Sequence, residues 1–149
     1  MKQAWRVDES IGEIYGSESE GKVLRPLFAC GVSAGFPSPA DDYIERQLDL
    51  NDLLIQNPPA TFFVRVTGDS MIGAGINHGD LLVVDRSLEP ASGRIIIAVL
   101  NGELTVKRFE RRNGCCRLLA ENPAYLPCEI TADTAFEVWG VVTSVIRRF

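Results

Sequence analysis

The chain has 149 residues, a length typical of one domain, and its content of 46% hydrophobic and 23% charged residues supports a packed core and excludes global disorder. A net charge of −5 argues against a free-standing nucleic-acid binder, which carries a basic surface, so direct sequence-specific DNA binding is not expected. No apolar run approaches the ~20 residues of a membrane span, and "MKQAWRVDESIGEIYG" lacks the apolar stretch of a signal peptide, which predicts a cytoplasmic protein without a membrane anchor.

Residues 1–34 read as an extended, flexible arm. The segment "DESIGEIYGSESEGK" is rich in Gly, Ser and Glu and sustains no core-forming period. The arm is too short for a helix-turn-helix domain. "GFPSPADDY", from Gly35 to Tyr43, is extended or turning because of its prolines. "YIERQLDLNDLLI" suggests a short helix, although Asp49 and Asn51 weaken it. From Thr61 to the C-terminus the chain reads as β. "TFFVRV" is β-branched and aromatic, and "DLLVVD" is a short run of the fully buried type. Asn101-Gly102 separates two strand-like runs and accepts the positive φ angles of a type I′ turn, so a hairpin is predicted there. Asn113-Gly114 predicts a second turn into "CCRLLAEN". The last strand, "FEVWGVVTSVIRR", is apolar on both faces. Strict alternation puts Phe136, Val138, Val142 and Ile146 on one and Trp139, Val141 and Val145 on the other. Such a strand lies centrally in a core or is covered by a second subunit.

Two constellations bear on chemistry. Cys30, Cys115, Cys116 and Cys128 form no CxxC pair, and His78 is the single histidine, so no zinc site is expected and the cysteines read as reduced and structural. The second is Ser70, in "TGDSMIGAGINHGD". A Gly-Asp-Ser sequence is what a tight turn uses, and on local chemistry Ser70 is a turn residue. As a nucleophile it needs a base. His78 lies eight residues on in a Gly-rich loop, with Asp80 the nearest carboxylate along the chain. The lysines are Lys2, Lys22 and Lys107, and the first two fall in the solvated arm. Lys107 is mid-strand in "ELTVKRF", where alternation places Thr105, Lys107 and Phe109 on one face. Burial there favours the neutral amine, whereas an exposed strand lysine packs only its stem on the sheet.

The motifs "AGFPSPADDYIERQLDLN", "GDSM", "GDLLVVD" and "GELTVKRF", in that order, resemble the self-cleaving serine proteases of the LexA/UmuD family, and its UmuD-like members above all. The resemblance covers Ala34 to Phe149 and implies a mainly β fold: a compact β domain over 35–149, following the arm over 1–34. It implies Ser70 as nucleophile and Lys107 as base, with the backbone N–H groups of Asp69 and Ser70 holding the oxyanion. It also implies a scissile bond at Ala34-Gly35, directly before "FPSPA"; Cys30-Gly31 is the alternative. Cleavage stimulated by the RecA filament on single-stranded DNA is implied, as are a homodimeric product and a UmuC-type Y-family DNA polymerase as partner in translesion synthesis, with no cofactor or metal. The rival readings are a non-catalytic polymerase-binding module with a relict site, a phage-type repressor fragment and a membrane signal peptidase.

Overall fold

A computed structural model describes residues 6–7, 11–16, 21–28, 31–32, 34–35 and 44–149. Lys2, Cys30 and the Pro-rich stretch 36–43 lie outside the described residues. The chain forms two units. One comprises Met1–Ser17 with Asn57–Phe149, the other Glu18–Gln56.

The smaller unit holds an antiparallel pair, β3 (Arg25–Phe28) with β4 (Ile44–Leu48), followed by a short helix α1 (Leu50–Leu54). The helix expected over 43–55 is therefore half strand. Asp49 is the reason for the break. Its carboxylate accepts from the N–H of Asn51 at 2.8 Å, an N-cap, and from the N–H of Val23 at 2.8 Å. These two backbone donors, Val23 foremost, hold the carboxyl of Asp49 below its usual range. The residue that weakens a long helix is thus the one that starts a short one.

The larger unit is a β-sheet. Its strands are β1 (Arg6–Val7), β2 (Ile11–Gly16), β5 (Thr61–Val66), β6 (Leu81–Asp85), β7 (Ile95–Leu100), β8 (Glu103–Arg112), β9 (Cys115–Leu119), β10 (Cys128–Ile130) and β11 (Phe136–Ile146). The order is β10-β9-β8-β7-β11-β6-β5-β2, with β1 parallel to β8 and the other pairs antiparallel. The segment read as an arm thus supplies β1 and β2 to this sheet and β3 to the smaller unit. Both Asn-Gly turns form as expected: Asn101 and Gly102 have φ of 50° and 84°, and Asn113 and Gly114 have φ of 51° and 78°. The strand β7 is apolar on both faces because it separates two cores. Ile97 and Val99 pack with Phe62, Val64, Met71, Leu82, Leu104 and Val106, while Ile96 and Ala98 pack with Phe109, Leu118 and Val141.

The long strand β11 pairs first with β7, over Phe136–Val141, and then with β6, over Val141–Ile146. Register shifts between Val138 and Gly140 and between Val142 and Ser144 interrupt the alternation. The faces consequently differ from strict period two. Phe136, Val138 and Val141 join the second core, and Trp139 and Val142 join the first. Gly140 is required at the first bulge, because a Cβ there would lie 2.7 Å from Val84 Cγ1.

The connection from β5 to β6 is a closed loop. The Val66 N–H donates to Asp80 O and the Gly79 N–H to Val66 O, both at 2.8 Å. Asp80, 2% exposed, accepts from Arg147 Nε at 2.7 Å, Arg147 Nη2 at 2.6 Å and the Asn77 N–H at 2.7 Å. Arg147 also donates to Gly75 O at 2.8 Å, so the end of β11 fastens this loop. The Arg147 guanidinium holds the Asp80 carboxyl below its usual range, against the opposing effect of burial. A lowered native value means that the stabilisation is full above the unfolded value of about 3.9 and is lost as pH falls through the native value. Asp80→Asn should therefore cost about 1–3 kcal/mol at pH 7, and the gap to wild type should narrow below about pH 4. Urea unfolding at pH 7 and pH 3 checks this; an equal gap at both pH values contradicts it.

Candidate active site

Ser70 sits on the closed loop between β5 and β6. The chain leaves β5 at Val66 and turns through Gly68, whose φ of 78° favours glycine. Met71 and Ile76, each 1% exposed, fix the loop into the first core. The Ala74 N–H donates to Met71 O at 3.0 Å, closing a 3-10 turn over Ile72–Ala74. Ser70 itself is 6% exposed.

Lys107 is in the middle of β8, opposite Ile96 of β7. Its half-buried Nζ lies 3.3 Å from Ser70 Oγ, 2.9 Å from Thr105 Oγ1 and 3.1 Å from Val106 O. Thr105 and Lys107 share a face, as alternation predicts, and Thr105 is buried at 4% exposure. The hydroxyl of Ser70 and the amine of Lys107 are thus adjacent although 37 residues separate them. His78 is placed differently. It is exposed, and its Nδ1 accepts from the Gly68 N–H at 3.2 Å rather than from the Ser70 hydroxyl. The N–H groups of Asp69 and Ser70 meet no acceptor among the described residues.

Pairing of β9 with β8 ends at Leu119 opposite Arg108, next to Lys107. Beyond that point lies a cleft of about 130 Å³ lined by Leu100, Glu103, Thr105, Lys107, Leu118, Leu126 and Cys128. It is mainly apolar, with Glu103 and Lys107 its charged residues. Cys115, Cys116 and Cys128 are free thiols, and Cys116 and Cys128 pack against the second core.

The loop after β9 was not legible in the sequence as part of a site. Its residues Glu121, Asn122 and Tyr125 all bond the Ser70 turn. The Asn122-Pro123 dipeptide signals a turn, but nothing in it names a partner. Ala34 and Gly35 belong to the smaller unit, where they form an exposed bend.

A sequence profile described as peptidase S24-like matches residues 26–143. The chain belongs to this family. Among its relatives, protein ImpA of Salmonella typhimurium is 48% identical over 131 residues, covering 84% of this chain and 85% of that one. Protein MucA of Escherichia coli is 43% identical over 133 residues, covering 88% and 90%. LexA repressor 1 of Xanthomonas campestris pv. campestris is 43% identical over 117 residues, covering 78% of this chain and 58% of the repressor. The resemblance drawn from "GDSM" and "GELTVKRF" is thus a true membership, in the UmuD-like part of the LexA/UmuD group. Among the described residues, no helix is long and apolar enough to cross a membrane.

Proposed function

We propose that this protein is a self-cleaving serine endopeptidase that removes its own N-terminal arm with a Ser70/Lys107 dyad. The observation that carries the reading is the 3.3 Å approach of Lys107 Nζ to Ser70 Oγ, beside an apolar cleft. Neutral Lys107 takes the hydroxyl proton as Ser70 Oγ attacks the carbonyl carbon of Ala34. Thr105 Oγ1 and Val106 O fix the amine so that its lone pair faces Ser70. The N–H groups of Asp69 and Ser70 take the oxyanion, a contribution of about 10²–10³ per donor. Collapse breaks the Ala34–Gly35 bond, and Lys107 returns the proton to the Gly35 amine. Water, deprotonated by the same lysine, then hydrolyses the ester that joins residues 1–34 to Ser70. Small side chains on both sides of the bond favour close backbone approach to the nucleophile.

The biological setting follows from the UmuD-like resemblance. The cleavage belongs to the response to DNA damage, and the RecA filament on single-stranded DNA stimulates it by favouring the docked arm. The 35–149 product forms a homodimer that serves a UmuC-type Y-family polymerase in error-prone translesion synthesis. The half-exposed apolar residues at the end of β11, Val145 and Ile146, are in keeping with a partner subunit. The higher identity to ImpA, 48% against 43% to the repressor, favours this reading over a phage-type repressor.

The test is mass spectrometry of full-length protein incubated at alkaline pH, with and without the RecA filament. A product beginning at Gly35 is expected, formed faster with the filament, and none from Ser70→Ala. Processing of Ser70→Ala at the wild-type rate, or a product beginning at Gly31, would contradict the assignment. Sedimentation of the 35–149 fragment at micromolar concentration should give a dimer; a folded monomer would rule out the proposed assembly.

A further inference from the structure

The loop that follows β9 makes an unusual set of bonds to the Ser70 turn. Glu121 pairs with it through the backbone in both directions: its N–H donates to Ser70 O at 2.8 Å and its carbonyl accepts from the Gly73 N–H at 2.7 Å. Asn122 Nδ2 donates to Asp69 O at 3.0 Å, and the Tyr125 hydroxyl donates to Asp69 Oδ1 at 2.6 Å. The loop is itself braced. The Ala124 N–H donates to Asn122 Oδ1 at 3.0 Å and the Tyr125 N–H to Asn122 O at 3.1 Å. Arg108, the residue after Lys107, joins the Glu121 carboxylate and also donates to Gly93 O at 2.6 Å. Gly73 is needed for this approach, since a Cβ there would lie 2.6 Å from Glu121 O.

These bonds have a directional consequence. A trans peptide is planar, with its C=O and N–H pointing in opposite directions. Tying Asp69 O to Asn122 therefore turns the Ser70 N–H away from the 121–125 loop. That N–H meets no acceptor among the described residues. The Tyr125 bond to the Asp69 side chain restrains the same residue a second time. Meanwhile Arg108 couples the loop to the strand that carries Lys107, so nucleophile and base share one brace.

We propose that Asn122 and Tyr125 are positioning residues. They hold the Asp69–Ser70 peptide in the orientation that presents the Ser70 N–H to a developing oxyanion and keeps Ser70 Oγ in register with Lys107. This rests on the self-cleavage reading above and adds to it the residues that pre-organise the site. Neither side chain takes a proton or touches the scissile bond. Their loss loosens geometry, and small misplacements at a reacting centre are costly in rate.

The experiment uses full-length protein with Asn122→Ala and Tyr125→Phe. Three quantities are read: the self-cleavage rate across pH, the rate of Ser70 labelling by an alkyl fluorophosphonate, and hydrogen exchange of the Glu121 and Gly73 amides, which bond Ser70 O and Glu121 O. In labelling, the Oγ–P bond forms, the P–F bond breaks, fluoride leaves and Lys107 takes the hydroxyl proton. The phosphonyl oxygen occupies the oxyanion position without any need for the arm. Both variants should slow cleavage and labelling by about tenfold or more. The midpoint of the pH profile should stay at the wild-type value because Lys107 is untouched, and exchange of the Glu121 and Gly73 amides, which the brace holds in hydrogen bonds, should accelerate. Rates within twofold of wild type, a displaced pH midpoint or unchanged exchange would overturn the proposal. If Asn122→Ala does not fold, Tyr125→Phe decides, since it removes one hydroxyl from an exposed ring. Wild-type protein that neither cleaves nor labels, with exchange accelerated in the variants, would sink the peptidase reading while leaving the positioning role standing.

Discussion

A hydrogen bond between Lys107 and Ser70 requires two distant pieces of chain to be rigid at once. A long, flexible lysine gains little from one contact at the surface, where side-chain entropy offsets it. Here the amine emerges from the middle of a strand paired to β7, and Thr105 Oγ1 and Val106 O fix its end. The serine is held by a loop whose ends are hydrogen-bonded together and whose Met71 and Ile76 are buried. The fold around the site can be understood as what makes these two placements simultaneous. The Asn101-Gly102 turn sets the β7–β8 register and hence where Lys107 points, and the Asp80–Arg147 pair fastens the far side of the serine loop.

The site is built from connections more than from elements. The loop after β9 reaches the serine turn through backbone and side-chain bonds, and the cleft beside Lys107 opens where β9 leaves β8.

Much of the fold was legible in the sequence because its signals are local. Two Asn-Gly dipeptides marked two hairpins, and β-branched runs marked β5, β6 and β7. What failed was what depends on partners. Residues 44–48 form a strand because β3 pairs with them, which no helical or alternating pattern within the segment reveals. The faces of β11 were misassigned around two bulges, because each extra residue reverses the alternation that follows. At the site, local chemistry alone read Ser70 as a turn serine and left Lys107 open to a surface role. Their pairing entered through the family's motifs, and the geometry brings the two together. The roles of Glu121, Asn122 and Tyr125 were invisible, since hydrogen bonds between loops carry no periodicity.

The central claim is that the amine of Lys107 must lose its proton before Ser70 can act. Lysine in water titrates at about 10.4 and histidine at about 6.5, so the two candidate bases leave different signatures. The most direct measurement is the rate of unassisted self-cleavage from pH 6 to 11 for wild type, Lys107→Ala and His78→Ala. The account predicts a rate that climbs by up to tenfold per pH unit and levels off at alkaline pH, a climb kept in His78→Ala and abolished in Lys107→Ala. An alkaline climb that survives Lys107→Ala, or a wild-type profile centred near pH 6.5 that vanishes in His78→Ala, would contradict it.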